Sequence, residues 1–355
     1  MKVLCVNDLP PGGSSGAEVH LGLLVDALQR SGDEVHVFSR PPRSGAARLL
    51  DAWDPAARRA LTAAAARFRP DVLHLHNVVR ELSVSVLGAA PGVPRVLTAH
   101  DGRLLGDADG RGPALRAYQS LRAHLDRVVA RHAVDRVLAV SGPLATRFAA
   151  AGFRGVSHAA PWAAAPTAPL VPAAACTDLV FLGRLDRDKG VHVLVEAFAR
   201  VEHPRARLLL AGGGRSQASL AASRVVRDGR AVLLGTLDRG QVSSLLASAR
   251  AVALPSLLAR RPEGSPLALV EGLVHGRPLV VSDDPGSVEL TRGGSCGLVA
   301  ATGDVEALAA ALRRILHDDE LVARLAAAAA AAAPEYGEQA GLARVRKAYR
   351  SVSAA

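Results

Sequence analysis

The chain has 355 residues, long for one hydrophobic core and comfortable for two. Its formal net charge is +10, but the basic residues are scattered. Aromatics make up only 3% and do not interleave with a basic run, which argues against a nucleic-acid-binding surface. No apolar run approaches the roughly 20 residues of a membrane span.

The first half alternates strand and helix. Lys2 to Asn7 reads as a buried strand, Pro10 to Gly16 as a loop, and Glu18 to Arg30 as a helix with Val19, Leu23, Leu24 and Ala27 on one face. Strands follow at Glu34 to Ser39, Val72 to His76, Arg95 to His100 and Arg136 to Val140. Between them, helices are expected over Ala56 to Arg69 and Ala114 to His132. Ala159 to Ala175, rich in proline and alanine, reads as a linker. The alternation then restarts. Strands are expected at Leu179 to Gly183, Arg207 to Ala211, Ala231 to Leu234, Ala251 to Pro255, Pro278 to Ser282 and Gly297 to Val299. Helices are expected at Val191 to Val201, Gln241 to Ala249, Val305 to His317, Glu320 to Ala333 and Leu342 to Tyr349. Such alternation implies parallel, doubly wound sheets, here two Rossmann-like α/β domains facing each other across a cleft. The boundaries read as 1–165 and 166–335, with a terminal helical region 336–355 that returns to the first domain.

Cys5, Cys176 and Cys296 are far apart and odd in number, which fits neither a disulfide framework nor a zinc pattern. They read as small buried residues in a reducing compartment. The run Val3 to Val6 is too short for a signal peptide, so a cytoplasmic protein is expected.

Four segments could carry chemistry. Gly12-Gly13-Ser14-Ser15-Gly16-Ala17-Glu18 stands between the first strand and helix, where Rossmann-type folds bind phosphate. It lacks the G-x-G-x-x-G spacing of a dinucleotide site. Arg184 and Lys189, in FLGRLDRDKG (Phe181 to Gly190), follow a strand and precede a helix, where two fixed cations can neutralise a diphosphate. Only three of the 43 basic residues are lysines, and one stands in this loop, which favours a role for a compact ammonium. Glu263 and Glu271 bracket Gly-Ser-Pro and an apolar run. If that run is helical, Glu271 lies about two turns in, roughly 12 Å beyond Glu263, with free N–H groups between them as an anion site. His100 ends a strand at the edge where open α/β sheets bind ligands, as do His74 and His76. Asp107-Ala-Asp109 matches the loose D-x-D metal pattern, but in a glycine-rich loop it carries little weight.

Together these segments resemble the retaining GT-B glycosyltransferases of glycosyltransferase family 4, over nearly the whole chain. The resemblance rests on the Gly-Gly…Gly-Ala-Glu loop, Thr98-Ala-His100-Asp101, Val137 to Ser141, FLGRLDRDKG and EGSPLALVEGLVHGRPLVVSD (Glu263 to Asp283). It implies that Arg184 and Lys189 grip the donor diphosphate. Glu263 would bind sugar hydroxyls and Glu271 the ribose, and amides of Ser265, Leu267 and Ala268 would meet the phosphate. His100 would contact the sugar, and the main chain at Thr236 and Leu237 the base. Gly13 and Gly16 would form the loop on the first-domain side. No metal or cofactor is implied beyond a nucleoside-diphosphate sugar, with a UDP-sugar favoured. The chain departs from the family in Val156-Ser-His-Ala-Ala-Pro161-Trp162, where many members carry Pro-Asn-Gly-Val-Asp.

The expected activity is hexosyl transfer to an acceptor hydroxyl of a small natural product or glycan. A membrane-surface enzyme with a lipid acceptor is the alternative. Its motivation is the helix Ala114 to His132, where Arg116, Arg122, Arg127 and Arg131 stand beside Leu115, Leu121 and Leu125. The plainer reading of that helix is a core-facing apolar side and an arginine-rich solvent side. A nicotinamide-dependent oxidoreductase or epimerase is disfavoured by the glycine spacing, and a non-catalytic nucleotide-sugar binder by the full set of ligand groups.

Overall fold

The computed structural model describes the chain except residues 13–14, 42–52, 80, 108–112, 258–263 and 354–355, and the side chains of 113–116. Contacts divide it into two units, residues 1–160 with 260–264 and 341–355, and residues 161–259 with 265–340.

The first unit holds β1 (Lys2–Val6), β2 (Glu34–Phe38), β3 (Val72–Leu75), β4 (Arg95–Ala99), β5 (Arg136–Ala139) and β6 (Val156–His158). They form one parallel sheet in the order β2-β1-β3-β4-β5-β6. The second unit repeats the design with β7 (Leu179–Leu182), β8 (Leu208–Ala211), β9 (Ala231–Gly235), β10 (Ala251–Leu254), β11 (Leu279–Ser282) and β12 (Gly297–Ala300). Its order is β12-β11-β10-β7-β8-β9, again parallel. Helices cover both faces of such sheets, so the central strands are apolar without alternation. Val3, Leu4 and Val6 of β1 are fully buried, as are Val180 and Phe181 of β7.

In each sheet the chain starts in the middle, winds one way, then returns to the other side of its first strand. The order reverses between β1 and β3 and between β7 and β10. Ligands of doubly wound sheets bind beyond the strand C-termini at that reversal.

One strand was not expected from the sequence. β6 has three residues at the sheet edge, none fully buried, and so no apolar run to announce it. The Ala159–Ala175 stretch holds the division between the units, after Ala160, and is anchored locally: Trp162 and Ala163 are each 1% exposed, while Leu170 and Val171 are 46% and 42% exposed. Two buried arginines hold it. Arg277 donates to the carbonyls of Val171 at 2.8 Å and Ala249 at 2.9 Å, and Arg250 to those of Ala174 and Cys176, both at 2.9 Å. A buried guanidinium needs several acceptors, and an irregular segment offers carbonyls that no ladder has used.

The helix Glu338–Ser353 packs in the first unit from Gly341 onward. Tyr349, 1% exposed, bonds His74 Nδ1 at 2.6 Å through its hydroxyl, and Arg346 pairs with Asp33 at 2.8 Å. All three cysteines are free and buried, and burial pushes the Cys5 thiol up to about 12.

Candidate active site

In the second unit the loops after β7 and β10 meet at the order reversal. The first runs from Gly183 through a turn at Arg187–Lys189 to the helix Val191–Ala199. The amide of Leu257, beyond β10, donates to the carbonyl of Asp188 at 2.8 Å. Gly190 has φ +67°, and a Cβ there would lie 1.8 Å from the carbonyl oxygen of Pro255. Only glycine permits this approach.

Arg184 and Lys189 both stand on this loop, half-buried. Arg184 is not loose. It pairs with Asp186 through one nitrogen and with Asp188 at 3.0 Å through another. Burial pushes the Asp186 carboxyl up, but the Arg215 amide at 2.9 Å and the Arg184 guanidinium outweigh it and leave the group below the ordinary carboxylate range. Asp186 therefore stays charged and fixes the Arg184 fork. The sequence reading did not single out Asp186 or Asp188; their signal was the alternating charge of the RLDRDK run itself.

The loop after β10 leads to the helix Leu267–Val274, whose first turn no side chain caps. Helix-start N–H groups lack intrahelical acceptors, so the amides around Ser265, Leu267 and Ala268 can receive an anion at this end. Glu271 is the fifth residue of this helix, hence about 6 Å along its axis at 1.5 Å per residue. That is little more than one turn, where two were expected, because the helix starts only after Pro266. Burial raises the Glu271 carboxyl to about 7, with the Arg239 charge pulling against it. Glu263 lies outside the described residues, as does Gly13.

Thr236 and Leu237 follow β9 at the sheet edge. Gly213 brings the loop after β8 to them, since a Cβ on it would lie 3.5 Å from Thr236 Oγ1. A Cβ on Gly212 would lie 1.9 Å from the carbonyl oxygen of Gly183. The loops after β7, β8 and β9 are thus one continuous rim.

In the first unit, Gly16 opens the helix Gly16–Arg30, and Glu18 accepts the Ser15 amide at 3.3 Å. Asp8, just after β1, accepts the amides of Glu81 and Leu82 at 2.9 and 3.0 Å and so ties that loop to the segment after β3. His100 follows β4, and its Nε2 is 2.9 Å from Nδ1 of His76. His76 stacks on His100 at 5.3 Å and on His74 at 4.5 Å. His74 is structural, bonded to Tyr349 on one side and to Thr98 Oγ1 at 2.7 Å on the other. His20, on the first helix, meets His100 edge-on at 5.4 Å. Burial lowers all four; His74 falls to about 3 and His100 to about 4, so these rings are neutral at pH 7. The sequence reading missed His20 because one histidine inside an amphipathic helix carries no periodic signal.

Asp107 is taken by Arg147, which reaches it through two nitrogens at 2.5 and 3.0 Å; Asp109 lies outside the described residues. The basic helix is seen as Pro113–Ala133. Leu121 and Leu125 do not face the core: they are 63% and 58% exposed, as Tyr118 is at 43%. Arg122 and Arg127 turn inward instead, to the carbonyls of Val79 at 3.1 Å and Leu105 at 3.4 Å. No described helix is long and apolar enough to cross a membrane.

Two doubly wound sheets, each with its loops gathered where the strand order reverses, place the protein in the GT-B class. Residues 14–158 match the family described as Glycosyltransferase Family 4, and residues 177–332 match Glycosyl transferases group 1. The chain belongs to the GT-B glycosyltransferases of the family 4 type. It is 30% identical to a glycogen synthase of Mycobacterium tuberculosis, over 92% of this chain and 88% of the relative. It is 28% identical to a phosphatidyl-myo-inositol mannosyltransferase of Mycolicibacterium smegmatis, over 96% and 91%. In fold it is similar to HepE of Anabaena, solved with UDP and glucose, at TM-score 0.74 and 21% identity over 99% of this chain and 100% of that one. A sucrose-phosphate synthase of Thermosynechococcus elongatus superposes at TM-score 0.79 and 20% identity, over 99% of both chains.

Proposed function

We propose that the protein transfers a hexosyl unit from a nucleoside-diphosphate sugar, a UDP-sugar in the first place, to an acceptor hydroxyl with retention of anomeric configuration. The observation that carries this is the joining of the Arg184–Lys189 loop to the residues just after β10, through the Leu257–Asp188 bond, at the strand-order reversal. Two cations on one loop at that edge suit a diphosphate, and a helix start offers free N–H groups to it. Solved complexes of HepE with UDP and with UDP-glucose support the choice of donor. Glu271 takes the ribose hydroxyls, Thr236 and Leu237 the base, and Glu263 and His100 the sugar. Gly13 and Gly16 are assigned to the glycine loop of the first unit. In the favoured mechanism the leaving diphosphate, held by Arg184 and Lys189, helps to take the acceptor's proton as the new bond forms on the same face. No metal is assigned to the diphosphate. The acceptor is a small molecule or glycan, and the compartment is the cytoplasm. A thermal-shift screen of UDP-, GDP-, ADP- and dTDP-sugars tests the donor; no stabilisation by any of them sinks the reading.

Glu271 adds a pH test. Ribose hydroxyls donate to a carboxylate, so the donor binds the ionised form. With the group at about 7, raising pH from 6 to 8 ionises it, and donor affinity rises by about tenfold. Calorimetry with the selected nucleotide-sugar reads this, and Glu271→Gln flattens the profile. The same shift has the opposite sign for the fold. Between the usual 4.5 and about 7 the folded state holds a proton that the unfolded chain has lost, so this group's contribution to stability falls as pH rises through that window.

A second reading, transfer to a lipid acceptor at a membrane surface, is favoured by one observation. Tyr118, Leu121 and Leu125 share an outward helical face that the protein leaves uncovered, with Arg131 exposed on the same helix. Co-sedimentation with phosphatidylglycerol vesicles at low salt is then expected, with loss of binding in Leu121→Glu/Leu125→Glu. Absence of the wild-type chain from the pellet removes this reading.

A further inference from the structure

We propose that His20, His76 and His100 form a binding site for one late first-row divalent cation, zinc being the best fit. The three imidazoles come from three elements: the first helix, the end of β3 and the end of β4. One ring nitrogen from each lies within 4.8 Å of the others. Two ring centroids stand 5.4 and 5.3 Å from that of His100, and those of His20 and His76 are 6.3 Å apart. The cluster lies beside the strand-order reversal of the first sheet, next to the loop that Asp8 anchors.

Four observations converge on a cation. His76 is 2% exposed, and its buried Nε2 has no hydrogen-bond partner among the described residues. A donor atom in that position is costly unless something binds it. Second, a tetrahedral zinc with Zn–N of about 2.0–2.1 Å holds its ligating nitrogens about 3.4 Å apart. The chosen nitrogens lie within 4.8 Å of one another, so side-chain shifts of roughly 1 Å complete the geometry. Third, the donor set is imidazole alone, which suits zinc, copper or nickel and not magnesium, calcium or manganese. Fourth, the neighbouring groups are already committed. His74 is saturated by Tyr349 and Thr98, and the Asp101 carboxylate takes the Arg103 amide at 3.0 Å and its guanidinium at 3.3 Å. Three histidines leave a fourth position open for water or a ligand oxygen. This cation is distinct from any that would bridge a diphosphate, a task assigned to Arg184 and Lys189.

The test uses the full chain without a histidine tag, loaded with Zn²⁺ or Co²⁺ and freed of excess metal by gel filtration. One equivalent of metal per chain is expected by elemental analysis. Co²⁺ gives the visible d–d bands of a low-coordinate site, and Zn²⁺ raises the melting temperature, a readout that needs no variant. His76→Ala and the double variant His20→Ala/His76→Ala lose the equivalent and the bands, with folding checked by circular dichroism. A wild-type chain that retains no metal overturns the proposal, and so does a folded double variant that retains the full equivalent. Neither outcome touches the transferase reading, because the measurement involves no sugar donor.

Discussion

Replacing Lys189 with alanine lowers the rate of nucleoside-diphosphate release from the donor by on the order of 10²-fold or more, as loss of one preorganised electrostatic group does. Lys189 stands at the end of a turn fixed from both sides, by the Gly190 approach to Pro255 and by the Leu257–Asp188 bond. Its ammonium is therefore carried on backbone that the fold holds still, and the diphosphate gains a second charge without any rearrangement. Lys189→Arg restores part of the rate, since the charge returns on a longer, planar head. Arg184→Ala acts in the same direction and also releases Asp186 and Asp188, so its effect on donor affinity is the larger of the two. Steady-state kinetics on the selected donor separate these outcomes; near-normal turnover in Lys189→Ala would remove it from the mechanism.

Replacing Tyr349 with alanine destabilises the fold by about 3–5 kcal/mol, the range for deleting a large buried aromatic side chain. Tyr349 is buried against β3, and its hydroxyl satisfies His74 Nδ1. The substitution opens a cavity and also leaves a buried ring nitrogen without its partner. Tyr349→Phe removes only the hydrogen bond and costs about 1–3 kcal/mol. Urea denaturation of the two variants reads the difference directly. Equal midpoints for both would mean that packing contributes nothing at this position.

Much of the framework of the candidate site was legible because it sits on the most regular parts of the chain. Short apolar runs ending in glycine or charged residues marked β7 and its loop, and the scarcity of lysine drew attention to Lys189. Spacing was less informative than it looked. The eight residues from Glu263 to Glu271 suggested two helical turns, yet Pro266 delays the helix until Leu267. Amphipathic pattern also misassigned a face. Leucines and arginines alternate along Pro113–Ala133, and sequence alone cannot say which set turns inward. Here the protein offers free carbonyls at Val79 and Leu105, and the arginines take them. The histidine cluster was half visible: His76 and His100 end strands, but His20 joins them only through the tertiary fold.

The last helix has a consequence for biosynthesis. Tyr349 and Arg346 complete contacts whose partners, His74 and Asp33, leave the ribosome more than 250 residues earlier. During translation the first sheet is thus exposed with one flank uncovered until the Glu338–Ser353 helix has been made. Its buried histidine column can close only after the second unit has been made, so the first unit cannot complete its packing on its own.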